Sequence, residues 1–283
     1  MSSSGSTRCV TCGAPAPGRY CAECGESTDH RDYALTHFVE ELVESVAHLD
    51  GRVFASFRSL LTRPGALTRD FLLGRRKKQF GPVQLFVICN VVYFFLQPFS
   101  LFVPFTSTLQ IQTHARAWSG VATQMVEAKI AERNVTFEDY ARTYDEAAHL
   151  QGKTLVMLMV PLFAFGTWAV HGRTTRFYAQ HLVYSFYTYA FVLVWMGVIT
   201  VVLSKLFLLA LHYGWRPTGE LLGDVAMPLV AIPVAAYLLL SDRVAYGESW
   251  AATIVKGGLL TGWMFAVLEA YRFILFFTAF YAT

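Results

Sequence analysis

Arg75-Arg76-Lys77-Lys78-Gln79-Phe80-Gly81-Pro82 leads into an apolar run that carries no charge from Val83 to Phe105. A helix rises 1.5 Å per residue, so about 20 such residues cross a ~30 Å hydrocarbon core. The run is therefore read as a membrane span. Lys and Arg close to a span are retained on the cytosolic side, so the cations in front of it place the preceding residues in the cytosol. Arg75, Arg76, Lys77 and Lys78 are the expected contacts for anionic lipid headgroups.

The composition agrees with that reading. The chain of 283 residues is 54% hydrophobic, 15% aromatic and 15% charged, where a soluble domain has about a quarter of its residues charged. Mean hydropathy is +0.40. The net charge of +3 is slight and uneven. Between positions 63 and 78, Arg63, Arg69 and the four-cation run face Asp70 alone, which favours a membrane surface over nucleic acid as the partner. Met1 to Thr7 has neither a basic nor an apolar region of a cleavable signal, and disorder is expected there.

Four of the five cysteines fall close together, as Cys9-Val10-Thr11-Cys12-Gly13 and Cys21-Ala22-Glu23-Cys24-Gly25. A two-residue spacer lets both sulfurs of one turn reach a single ion, and zinc takes four thiolates at tetrahedral corners. Gly after each pair suits a left-handed backbone. The spacer between the pairs is shorter than the usual ribbon, but Ala14-Pro15-Ala16-Pro17-Gly18 supplies a tight reversal. Two disulfides are the alternative, disfavoured in a reducing cytosol. Zinc is the expected cofactor, held by Cys9, Cys12, Cys21 and Cys24. With every ligand position filled, the ion is structural rather than catalytic. Arg8 and Arg19 are offset by Glu23 and Glu26, so the ribbon lacks the basic face of a nucleic-acid binder. A protein partner is the better expectation. His30 is read as a surface residue.

Leu35, Phe38, Val39, Leu42, Val43 and Val46 recur at helical spacing opposite Glu40, Glu41 and Glu44. A second pattern, Val53, Phe54, Phe57, Leu60 and Leu61, ends at Arg63-Pro64-Gly65, and a third runs from Leu67 to Leu73. These helices either lie in the cytosolic interface or pack on one another, across a dimer included. The acidic first helix leans away from lipid and the Arg-flanked region around Phe57–Leu73 leans toward it.

The two Cys-x-x-Cys-Gly turns, Leu60-Leu61-Thr62-Arg63-Pro64-Gly65, Gly74-Arg75-Arg76-Lys77 and Pro82 together resemble a bacterial membrane family, domain of unknown function 3667. Arg243-Val244-Ala245-Tyr246-Gly247 is similar to that family's cytosolic turn before its last span. The resemblance implies an integral membrane protein with a zinc ribbon, and it brings no activity or catalytic residues. Phe80 stands where the family pattern leads one to expect Tyr.

Residues 106–153 are too polar for lipid and are expected as a helical excursion on the far side, with Thr136 and Asp139 forming a capping box. Apolar runs over 154–171, 182–212, 225–241 and 253–281 follow. The third span of the five is long, and tilt or extension past Lys205 explains it better than two helices, because no turn signal divides it. Arg173 and Arg176, then Arg243 and Lys256, fall on alternate connections, as five spans with a cytosolic N-terminus require. Gly258, Gly262 and Ala266 form a stripe on which another helix could pack. Pro98, Pro104, Pro161, Pro228 and Pro233 suggest kinks.

The expected architecture is an all-α polytopic inner-membrane protein with about five transmembrane helices. It comprises a ribbon (1–30), cytosolic amphipathic helices (31–81) and the spans (82–283), with the C-terminus outside the cytosol. Glu269 and Arg272 form a polar pair inside the last span, where an ionisable group is costly. Structural pairing outweighs a place in a pathway. His114, His149, His171, His181 and His212 look scattered. No nucleophile–base set or phosphate loop is present, so an enzyme is the least favoured class. Docking of a protein partner or organisation of a membrane assembly is the leading reading, and self-association is compatible with it. The alternative is a small permease or channel with a route near Glu269, Arg272 and Lys205.

Overall fold

The computed structural model describes residues 8–18, 20–24, 51–77, 79–102, 104–105, 107–172, 177–215 and 219–283. The leader, His30, the helix expected over 35–46, Arg19, Lys78, Arg173 and Arg176 lie outside the described residues. The helices are α1 (Gly51–Thr62), α2 (Ala66–Leu72), α3 (Pro82–Leu96), α4 (Leu109–His114), α5 (Ser119–Arg133), α6 (Phe137–His171), α7 (Tyr178–His212), α8 (Gly219–Tyr246) and α9 (Trp250–Ala282).

Five segments are long and apolar enough to cross a membrane: Pro82–Phe99, α6, α7, Ala226–Tyr246 within α8, and α9. The first starts with Pro82 at a position that needs no N–H, and the Gln84 side chain accepts the Gly81 N–H at 3.2 Å. It stops well short of Phe105. The chain tightens into a 3-10 turn over Gln97–Phe99 at Pro98, and Ser204 of α7 accepts the freed Leu101 N–H at 2.8 Å.

The expected excursion before residue 153 is helical, and its last part is continuous with the apolar run that follows. Thr136 caps a helix as its sequence implies, accepting the Asp139 N–H at 3.2 Å. That helix then runs without a break through Pro161 to His171. At 35 residues it is about 52 Å long, so its polar first half stands outside a ~30 Å core. There it meets the end of α9: the Tyr140 and Thr283 hydroxyls are 3.0 Å apart. Asp145 ties down α4 by accepting the Leu109 N–H at 2.8 Å. The long third span is a single helix, α7.

Helices α6, α7, α8 and α9 pack in a closed ring, and α3 lies outside it against α7. Small residues let the backbones approach. Gly197 admits Leu96 and Tyr93 of α3, Gly166 faces Trp263, and Gly257 faces Leu239. The Trp263 indole donates to the Leu162 carbonyl at 3.0 Å. The stripe Gly258, Gly262 and Ala266 faces away from the bundle. The contact face of α9 runs instead along Thr253, Gly257, Leu260 and Val267.

The short helices close one end of this bundle. Val53, Ser56 and Leu60 of α1 point inward, and Phe54 and Leu61 point out. Phe80 is the junction: its N–H donates to the Ser56 hydroxyl at 2.9 Å. Its carbonyl accepts from the Tyr187 hydroxyl at 2.8 Å. The ring itself is buried, a place that needs no phenolic oxygen. Gly65, at φ 77°, lies so close to α8 that a Cβ there would stand 2.5 Å from the Ser241 carbonyl oxygen. Gly65→Ala is therefore expected to cost on the order of 1–3 kcal/mol through the left-handed backbone alone, with the clash adding to it. A thermal melt in detergent should show a clear fall in midpoint, while Gly214→Ala, where φ is 79° but nothing lies within 4 Å, should show less.

Candidate metal centre

The ribbon is built by backbone turns before any metal is considered. Cys9 donates its N–H to the Ala14 carbonyl at 2.8 Å, and Gly13 donates to the Cys9 carbonyl at 2.9 Å. Gly13 takes the left-handed conformation its position implied, at φ 76°. The sulfurs of Cys9, Cys12, Cys21 and Cys24 all lie within 4.8 Å of one another, so that they could hold a metal ion. Cys9 and Cys24 sulfurs are 3.5 Å apart, as are those of Cys12 and Cys21. None of the four is joined in a disulfide. Backbone hydrogen bonds from Cys12 and Thr11 lower the Cys9 thiol to about 7, and the Cys24 backbone lowers Cys21. Cys12 is shifted the other way, upward, so Cys9 and Cys21 are the two thiols of the set disposed to give up a proton to a cation.

The collar next to the ribbon does more than face solvent. Arg75 donates from Nε to the Val10 carbonyl at 3.2 Å and pairs with Asp70 at 3.4 Å. The same side chain seats the ribbon on α2. Arg76 stacks over the Phe71 ring at 4.6 Å.

The pair in the last span is present but belongs to a larger clamp. Glu269 bonds Arg272 and also Arg116, from the segment before α5, at 3.2 Å. Arg272 in turn donates to the Pro104 carbonyl at 2.9 Å. Lys205 stands exposed on the outside of α7.

A second polar cluster is hidden in the sequence because its members look scattered there. His171 ends α6, His181 lies in the first turns of α7, Asp242 and Tyr246 lie at the end of α8, and Glu248 precedes α9. The alternation of helix directions brings all of them to the ribbon side of the bundle. His171 Nε2 is 3.2 Å from Asp242 and 4.0 Å from Glu248, and Lys256 pairs with Glu248. Tyr246 stacks on His171 at 3.9 Å between ring centres and bonds His181 Nδ1 at 2.8 Å. Span ends at a common level were the available signal: counting crossings would have gathered these residues.

No curated protein and no solved structure matches this chain. Residues 50–94, from the start of α1 through most of α3 and including the collar and the Phe80 junction, match the family described as a protein of unknown function (DUF3667).

Proposed function

We propose that this protein is a multi-pass protein of the bacterial inner membrane, without enzymatic activity. In this reading its zinc-filled ribbon docks a protein partner, or organises a membrane assembly, at the cytosolic face. The observation that carries it is the seat of the ribbon. Arg75 pins one side of the four-cysteine unit to the helical cap, while Tyr20 stays 69% exposed on the unit. Four thiolates suit zinc and leave no coordination position for a substrate. A unit this small takes its folding energy from the metal, so loss of zinc would remove the docking surface without touching the spans.

The orientation follows from charge. Arg63, Arg69, Arg75, Arg76, Arg243 and Lys256 gather at the end that bears the ribbon, which the positive-inside tendency assigns to the cytosol. Arg63, Arg69 and Arg243 rim a groove lined by Leu240, Val244 and Trp250, a shape and charge suited to an anionic phospholipid. The outward Phe54 and Leu61 of α1 fit the same interface. A permease with a route past Glu269 finds less support, because two arginines already engage that carboxylate.

Purified full-length protein is expected to lose about one equivalent of zinc on Cys9→Ser, by elemental analysis, and to lose its bound partner in the same variant. Glu269→Gln should retain both. A flux in reconstituted vesicles abolished by Glu269→Gln and indifferent to Cys9→Ser would sink the docking reading. The lowered Cys9 thiol keeps a thiolate near neutrality, and protons displace the metal below that. Ribbon zinc should therefore resist a competing chelator at pH 8 and be released progressively as pH falls through about 7 toward 5. Release that does not depend on pH would contradict thiolate ligation.

A further inference from the structure

The cluster at the ribbon-side end of the bundle has the form of a second cation site, separate from the cysteines. Its potential ligand atoms, one each from His171, Asp242 and Glu248, all lie within 4.8 Å of one another. Ligands bonded at about 2.0–2.2 Å to a tetrahedral ion stand roughly 3.3–3.6 Å apart. The His171 to Asp242 distance of 3.2 Å and the His171 to Glu248 distance of 4.0 Å bracket that value.

Proton placement sharpens the case. His171 Nδ1 lies 3.1 Å from the Thr167 carbonyl, which can only accept, so Nδ1 carries a proton and Nε2 is the nitrogen that faces Asp242. A metal-binding histidine is commonly held this way, with its other nitrogen donating to a backbone carbonyl. Nitrogen and carboxylate at that distance need a positive charge between them, either a bound ion or a second proton on the ring. The side chains of His171 and Asp242 have no exposed surface. Among the described residues neither Asp242 carboxylate oxygen accepts a hydrogen bond, nor does Glu248 Oε2. A buried carboxylate left so is strongly disfavoured. Asp242 and Glu248 bring two negative charges, and Lys256 pairs with Glu248.

We infer that His171, Asp242 and Glu248 bind a divalent first-row transition ion, of the zinc or manganese class, at the ribbon-side end of the helical ring. One imidazole with two carboxylates is a mixed nitrogen and oxygen set, which suits those ions rather than the soft ions of an all-thiolate site. Three protein ligands leave room for a water or a partner's donor in the fourth position. Tyr246, stacked on His171 and bonded to His181, holds the ring in place.

The test uses the full chain in detergent, purified with zinc and then titrated with Mn²⁺, which a zinc-filled thiolate site does not take up. Zinc is counted by elemental analysis and bound Mn²⁺ by loss of the free-ion spin-resonance signal. The wild type is expected to hold about two ions in total, and Cys9→Ser, Asp242→Asn and Glu248→Gln about one each. A wild-type total of one overturns the inference, as does an Asp242→Asn protein that still holds two. Thermal melts separate the remaining explanation, a second proton on His171. If the site takes metal, Mn²⁺ raises the wild-type midpoint, Asp242→Asn abolishes that rise, and without Mn²⁺ the variant melts no lower than metal-stripped wild type. If His171 is an imidazolium paired with Asp242, the variant melts lower and Mn²⁺ shifts neither protein, which also overturns the proposal.

Discussion

A polypeptide crossing hydrocarbon finds no water to satisfy its polar groups, and this requirement shapes the whole bundle. Hydroxyls inside the helices turn back onto their own backbone: Ser185 donates to the His181 carbonyl, Thr200 to Met196 and Thr261 to Gly257. Larger polar side chains spend their hydrogen bonds between helices. The Tyr271 hydroxyl donates to the Gly152 carbonyl at 3.1 Å, and the Trp263 indole reaches Leu162 beside Gly166. In both places a glycine makes room for the ring. Apolar burial gives little drive toward association when the solvent is itself apolar, so close packing and such bonds hold the ring of α6 to α9 together.

The cap shares one buried core with the bundle, to which it contributes Leu60, Leu67 and Phe71. Phe80 touches both sides, taking α1 through Ser56 and α7 through Tyr187. Arg75 extends the chain of contacts one step further, from Asp70 of α2 to the Val10 carbonyl within the first cysteine turn. Zinc, if it folds the ribbon, thereby acts on a surface registered against the membrane rather than on a tethered bead. A cation run whose sequence suggests a lipid collar thus divides its work. Arg75 faces the ribbon, Arg76 covers an aromatic ring, and the arginines nearest an apolar groove are Arg63, Arg69 and Arg243.

Much of this was legible from the residues. Charge-free runs marked five helices long and apolar enough to cross a membrane, paired cysteines marked a cluster that could hold a metal ion, and Thr136 with Asp139 marked a helix start. The errors share a cause, which is that a pattern along the chain does not say which way a face points. Gly258, Gly262 and Ala266 looked like a packing stripe, yet the neighbour sits against Gly257, about 100° away for each residue of offset. Residues 106–153, read as a helical excursion, are helical, and their last part is continuous with the following apolar run as α6, because a helix leaving the membrane changes its solvent without changing its hydrogen bonds. Histidines read singly in sequence become neighbours only after the chain has crossed and returned.

The polar clusters at the two ends of the bundle differ in how their charges are met. On the far side, Glu269 lies between Arg116 and Arg272, and a carbonyl from Pro104 takes up a further guanidinium proton. Cations are in excess there, and partly exposed surface lets water screen them. In the buried cluster near the ribbon, Asp242 and Glu248 face Lys256 and the Nε2 side of the His171 ring, whose Nδ1 is turned to the Thr167 carbonyl. Burial removes the screening at that end. Charge at a wet surface can be left to solvent, whereas a carboxylate as buried as that of Asp242 calls for a positive charge against it, from an ion or from a second proton on the facing ring. The clamp at the opposite end is thus satisfied within the chain, Glu269 by two arginines and Arg272 by the Pro104 carbonyl as well, whereas the carboxylate oxygens of Asp242 accept no hydrogen bond among the described residues.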